Sequence, residues 1–216
     1  MPPRFNMNGA LTEMRSLSCA GAGGLLAVGF RIRGRQGDRW TNRFTNFKYG
    51  SEDDRRKGVQ TLARACLTAR FPDHSRKVVV GAISSGAEGL SKESPVYALG
   101  RTVALFNGWE WKPQILSKAR HRPLKSLDHS AERDSEVHGT YRSRGVAGAV
   151  GLFVIVDDFA TRGATFSEIR RALLEASPGW SIVNLALAKN ENDHFWDGNI
   201  SNDHVPAELD RVWEKA

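Results

Sequence analysis

The chain is short of the residue patterns that mark several large protein classes. It holds two cysteines in 216 residues, Cys19 and Cys66. They lie far apart and match no zinc-ligand spacing, which excludes a disulfide scaffold or a zinc ribbon and points to a reduced, cytoplasmic protein. No apolar run approaches the roughly 18 residues that a membrane-spanning helix needs. The start, Met1-Pro2-Pro3-Arg4, does not read as a secretory leader, and the small apolar run Cys19–Phe30 is glycine- and alanine-rich before Leu25. That run is expected to be a buried strand with a glycine-rich approach.

What is present suits a single α/β domain with small additions at its ends. Apolar residues make up 40% of the chain and charged residues 25%. The net charge of +7 favours anionic partners, either phosphorylated metabolites or nucleic acid, although a basic surface also serves solubility. Six tryptophans (Trp40, Trp109, Trp111, Trp180, Trp196 and Trp213) are spread through the chain, a distribution that fits packing better than a stacking platform.

Strands and helices alternate along the sequence. Leu25–Arg33 reads as a strand, Gly34–Asp38 as a turn and Arg39–Tyr49 as a second strand, or a strand and loop, together an N-terminal hairpin. Ser51 with three acidic residues behind it opens a helix that runs to about Ala69. Val78–Val80 is a short strand buried on both faces, followed by the small-residue loop Gly81–Gly89. Pro95–Phe106 is a helix, and Gln114–Leu116 a short strand. Residues 117–146 are charged and poor in large apolar residues, as in a lid. Val150–Val156 is the most apolar strand, Gly163–Glu175 a helix and Ile182–Leu187 the next strand. This βαβ unit implies a mostly parallel, twisted sheet with flanking helices. A terminal helix is expected over Glu208–Lys215. The chain divides into N-terminal strands or hood (1–50), a core (51–190) and a C-terminal tail (191–216).

The segment 153–165, Phe-Val-Ile-Val-Asp-Asp-Phe-Ala-Thr-Arg-Gly-Ala-Thr, carries the chemistry. A buried strand ending in Asp157 and Asp158 places two carboxylates at the carboxyl edge of a parallel sheet, where open α/β folds bind ligands. Thr161–Thr165 then turns into a helix. Gly163 and Ala164 let backbone N–H groups approach an anion, Thr161 and Thr165 add hydroxyls, and the helix N-terminus favours phosphate. One segment thus offers donors for a phosphate and acceptors for sugar hydroxyls. An acidic pair that only caps a helix is the plainer reading of a lone Asp-Asp, but not of the whole string.

Residues 150–175 resemble the binding motif of type I phosphoribosyltransferases. The resemblance implies that fold, with an N-terminal β-hairpin or hood. It also implies a site for phosphoribosyl pyrophosphate (PRPP) or a phosphoribosyl nucleotide with Mg²⁺, carried by the substrate, with Asp157 and Asp158 as the residues that would touch it. Carried over, Asp157 and Asp158 contact the ribose, and Thr161, Arg162, Gly163, Ala164 and Thr165 surround the phosphate. The family usually has Thr where this chain has Arg162, a change that keeps the backbone amides and adds a cation.

Within the family the chain is similar to the competence-protein ComF branch. Phe47-Lys48-Tyr49-Gly50 before a helix resembles one element of that branch. The run Lys118–Leu127, with Ala131-Glu132-Arg133 and Val137-His138-Gly139-Thr140-Tyr141, resembles its lid. From the resemblance, Arg120, Arg122, Lys125 and Arg133 are lid cations that close over pyrophosphate; a solvated loop is the alternative. The four-cysteine zinc module of that branch is missing. Where its pyrophosphate loop carries arginines, this chain has Ser84, Ser85 and Gly86, which offer backbone N–H groups; Lys92 is the nearest cation in sequence. His121, His129 and His138 match no metal spacing.

The resemblance leaves two functions open. One is binding of PRPP, with phosphoribosyl transfer to a nitrogenous acceptor if the protein is catalytic; no catalytic residue is assigned. The other is a non-catalytic role in DNA uptake or processing, in which Arg31, Arg33, Arg35, Arg39 and Arg43 of the expected hairpin would form a nucleic-acid-binding ribbon. A solvated, charge-protected edge strand is the plainer reading of that strip. A ligand-sensing regulator would need a DNA-reading helix, and none stands out. A homodimer is a further expected partner state.

Overall fold

The computed structural model describes residues 6–15, 17–35, 37–121, 135–192 and 205–216. In chain order these form β1 (Asn6–Asn8), β2 (Leu11–Met14), β3 (Leu25–Arg33), α1 (Arg39–Tyr49), α2 (Glu52–Thr68), β4 (Lys77–Gly81), α3 (Pro95–Asn107), β5 (Glu110–Trp111), β6 (Leu116–Lys118), β7 (Tyr141–Ser143), β8 (Gly151–Ala160), α4 (Ala164–Ala176), β9 (Trp180–Asn192) and α5 (Ala207–Lys215).

A seven-stranded sheet runs in the order β1-β2-β3-β9-β8-β4-β5. The five strands from β3 to β5 are parallel, and β1 and β2 add an antiparallel edge. β8 lies between β9 and β4, and Gly151 through Val156 are fully buried on both sides of the pleat. A continuous apolar strand such as Gly-Leu-Phe-Val-Ile-Val is stable only in such a two-faced setting. β6 and β7 form a separate antiparallel ribbon.

Side-chain alternation divides the core. Leu152, Val154, Val156, Leu185 and Leu187 face α1, α2, α3 and α5, whereas Phe153, Ile155 and Ala186 face α4 and the β6–β7 ribbon. The helix ends follow local chemistry. Ser51 and Asp54 form a reciprocal capping box on α2. Ser94 caps α3, Pro95 takes its first position, and Gly108 ends it with a φ of 65°.

The structure corrects the expected hairpin. Arg39–Tyr49 is a helix, not a strand: Asp38 accepts a hydrogen bond from the Thr41 N–H at 2.5 Å and starts it. Trp40, Phe44 and Phe47 recur at helical spacing and are fully buried. The aromatic and threonine content that suggests a strand yields to this burial pattern. The N-terminal hairpin is instead β1–β2, and β3 pairs in parallel with β9 inside the sheet.

Gly58, in the middle of α2, faces Phe47 of α1, and a Cβ built there falls inside the contact distance of the Phe47 ring. Glycine-to-alanine in a helix interior normally stabilises by ~0.5–1 kcal/mol. We expect Gly58→Ala to destabilise instead, by ~1–3 kcal/mol from overpacking, measured by urea unfolding. A stabilised variant would contradict this account of the α1–α2 contact.

Candidate functional site

The site opens where strand pairing changes. β4 runs beside β8 only as far as Gly81, opposite Val156, and the Ala82 N–H donates to the Val156 carbonyl at 2.9 Å. β8 continues beside β9 alone through Ala160, opposite Lys189. The acidic pair therefore sits inside β8, rather than at its end, on the flank that β4 has left. This is a cleft at the carboxyl ends of parallel strands.

Asp157 Oδ1 accepts the Asp158 N–H at 2.8 Å, and Asp158 Oδ1 accepts the Phe159 N–H at 2.7 Å. Lys48, the next-to-last residue of α1, reaches Asp158 Oδ2 at 2.8 Å. Burial holds the Asp157 carboxyl well above the ordinary carboxylate range, and the neighbouring Asp158 charge pushes it further in that direction. Burial pulls the Lys48 amine down, but Asp158, by charge and hydrogen bond, and after it the charges of Asp157 and Tyr49 push it up, and the net shift is upward. Phe159 lies between two cations, with Lys48 Nζ 5.2 Å and the Arg31 guanidinium 5.6 Å from its ring centre.

A second lysine enters from the opposite flank. Lys118, at the end of β6, is buried and donates to the Ile83 carbonyl at 2.7 Å. Its amine lies 5.2 Å from the Tyr141 ring centre. Burial brings its pKa down to about 8, while the charge of Asp157 acts against that shift. The Tyr141 hydroxyl bridges the Ile83 N–H and carbonyl, at 2.9 Å each. Beneath it, buried Glu168 of α4 accepts the Tyr141 N–H at 3.1 Å and pairs with Arg171 at 2.6 Å. The β6–β7 ribbon is thus bolted both to α4 and to the loop that begins at Ala82.

The turn into α4 is shaped for a close approach. Gly163, at the N-cap, has a φ of 97°, and among the described residues no side chain caps this helix. The first-turn N–H groups therefore keep their donor capacity for an anion. A Cβ on Gly163 would lie 2.6 Å from Leu17 Cδ1 and 2.8 Å from Ala22 Cβ, so glycine is required twice over. The segment around Leu17–Gly24 braces the turn: the Cys19 N–H donates to the Arg162 carbonyl, and Ser167 donates to the Ala20 carbonyl. Thr161 accepts from Asn190 at 3.2 Å, and Asn190 in turn accepts from Arg31 at 3.3 Å.

The structure brings together much of what the sequence singles out. Asp157, Asp158 and the turn from Thr161 to Thr165 are contiguous at the end of β8. Ser84, Ser85 and Gly86 form a turn tied to the ribbon by the His121 N–H on the Ser85 carbonyl and the Lys118 N–H on the Glu88 carbonyl. Arg120 is exposed and pairs with Glu88 at 3.3 Å. Arg122, Lys125, Arg133 and His129 lie outside the described residues. Exposed His138 stands 3.9 Å from Glu168, and Lys92 is exposed.

The arginine strip is broken up. Arg43 is buried on α1, stacked 4.6 Å from the Trp40 ring centre and paired with Asp210 and Glu214 of α5. Arg39 pairs with Asp210 at 2.6 Å, and Arg31 is engaged with Thr45 and Asn190. The expected ribbon does not exist because its second half is a helix. Sequence reasoning passed over Lys48, Lys118 and Tyr141 as site residues. Their sequence signal was the lysine-tyrosine element and the two ends of the lid segment.

Comparison with known proteins adds similarities of chain course. An adenine phosphoribosyltransferase from Leishmania tarentolae is similar with a TM-score of 0.39 and 12% identity, over 66% of this chain and 73% of that one. The adenine phosphoribosyltransferase from Leishmania donovani is similar with a TM-score of 0.38 and 10% identity, over 79% and 80% respectively. No family model matches the chain, and no curated protein does.

The burial of Asp157 has measurable consequences. Because its folded-state pKa is raised, an ionised Asp157 opposes folding at pH values above that raised pKa, and the cost fades as pH falls and the carboxyl is protonated. We expect Asp157→Asn to raise Tm at about pH 8, with the gap narrowing toward acid, in scanning calorimetry. The same substitution removes the charge that favours the Lys118 ammonium. The Lys118 amine should therefore titrate below its wild-type value of about 8, followed by carbon-13 NMR of the lysine ε-methylene; an unchanged or higher value would show that the two groups do not interact.

Proposed function

We propose that this protein binds PRPP or a phosphoribosyl nucleotide at the carboxyl end of β8. The observation that carries the reading is a buried strand that presents Asp157 and Asp158 and leads, through a positive-φ glycine, into a helix with no side-chain cap. Carboxylates accept hydrogen bonds from vicinal ribose hydroxyls, and the first-turn N–H groups of α4 receive the 5′-phosphate. The turn at Ser84–Gly86 offers backbone donors to the pyrophosphate.

Among the described residues no three of His, Cys, Asp and Glu gather into a metal cage. The donor set fits a Mg²⁺ carried by substrate phosphates and touched by one or two carboxylates, as Mg²⁺ prefers. Asp157 and Asp158 are the residues that would touch it, and the ion would neutralise pyrophosphate charge. Lys48 and Lys118 balance the acidic pair from two sides and hold the cleft ready for a ligand with both hydroxyls and phosphates. The chemistry such a complex supports is displacement of pyrophosphate from ribose C1 by a nitrogen nucleophile. Positioning and charge stabilisation would supply the rate of that step.

Isothermal titration with PRPP and Mg²⁺ tests the reading. Wild type should bind. Asp157→Asn/Asp158→Asn should bind at least about 100-fold more weakly, since a hydrogen bond to a charged group contributes ~1.5–3 kcal/mol. Failure of the wild type to bind PRPP in the presence of Mg²⁺ would overturn it.

A further inference from the structure

The terminal helix α5 is docked by two buried side chains and two acids. Leu209 and Trp213 are buried, and Trp213 meets Trp40 of α1 edge-on at 5.7 Å. Asp210 and Glu214 pair with buried Arg43, whose guanidinium also lies 5.6 Å from the Trp213 ring centre. Both acids therefore serve the α1 side of the helix. The α2 side carries Arg211 and Lys215.

This arrangement sets like charges against each other. Arg211 and Lys215 of α5 and Arg56 and Arg64 of α2 line one trough of about 540 Å³, with Gln60 and Val212 between them. Among the described residues, no acidic side chain lines it. Asp53 pairs with Arg56 from outside the trough. Arg64, Arg211 and Lys215 make no ion pair with any described residue, and Ala216 also lines the trough. Even with an α-carboxylate at Ala216 set against them, cations outnumber anions. The burial of Trp213 and the Arg43 pairs hold α5 in place despite that repulsion.

The geometry also has a direction. Arg56, Gln60 and Arg64 recur every fourth residue on α2 and span ~12 Å, and Arg211 and Lys215 span ~6 Å on α5. A single carboxylate would satisfy one guanidinium fork and leave the rest opposed. A row of phosphates would engage the whole array through charge-assisted bonds. The volume suits a small ligand or a short stretch of chain.

We propose that the trough between α2 and α5 binds a chain of phosphate groups, separately from the site at β8. Two sources share this chemistry, a free oligophosphate and the backbone of a single-stranded nucleic acid. Titrating the full chain with tripolyphosphate and, separately, with a twelve-residue oligothymidine distinguishes them. The binding variant is Arg64→Gln/Arg211→Gln, with Lys215→Gln as a second, milder variant. The control is Arg101→Gln/Arg144→Gln, exposed cations outside the trough.

Wild type should bind at least one probe at about 50 mM salt, and the probe bound identifies the source. The double variant should weaken that binding tenfold or more, and the control by less than about twofold. If oligothymidine is the ligand, removing two contacts should reduce the slope of log K against log salt by about 1.4. Binding of PRPP should be unchanged in the double variant, so failure here and failure of the β8 reading are separate results. Absence of binding for both probes, or equal weakening in the double variant and the control, would overturn the proposal.

Discussion

The carboxylate of Asp157 is the group around which the rest of the structure is organised. A buried parallel strand carries it to a point where its neighbour β4 has ended and the cleft begins. Burial and Asp158 both disfavour its charge. A carboxylate in such a place is tolerated only with compensation nearby. The fold supplies it from two independent elements, Lys48 at the end of α1 and Lys118 at the end of β6. One is tied directly to Asp158; the other is turned toward the Ile83 carbonyl and feels the Asp157 charge.

The supports of this cleft come from the side of the sheet with little helical cover. α4 packs on that side, and the ribbon and the Leu17–Gly24 segment border it. Each makes polar contacts to α4. Tyr141 and Glu168 join the ribbon to it, and the Ala20 and Gly21 carbonyls, which accept from Ser167 and Arg170, join the segment to it. The other face is packed by α1, α2, α3 and α5 over a larger apolar cluster. The firm face carries the sheet, and the thinner face carries loops and a ribbon that border the ligand cleft. That distribution suits a site that must admit a ligand, since local stability follows the density of buried contacts.

The same contrast explains the trough. α5 is held by the side chains it buries among α1 and α2 and by Arg43, not by Arg211 and Lys215. That packing against α2 sets Arg211 and Lys215 beside a second row of cations.

Much of the architecture was legible in the chain. Gly151–Val156 could only be a two-faced strand, because a continuous apolar run of that length has no solvent side. Asp157, Asp158 and the Thr161–Thr165 turn were legible because their chemistry is contiguous. α2 was marked by Ser51, which acts within its own first turn, and α3 was expected from Pro95 onward. Arg39–Tyr49 was misread because aromatics and threonines favour strands locally, while the burial of Trp40, Phe44 and Phe47 on one stripe depends on the sheet and helices they meet. Lys48, Lys118 and Tyr141 gained their roles only when the sheet closed, since nothing near them in sequence shows that they converge on Ile83 and Asp158. The chain by itself determined the elements whose hydrogen bonds and burial are local. The tertiary structure decided which distant charges share a low-dielectric space, because desolvation and pairing act through distance in space and not along the chain.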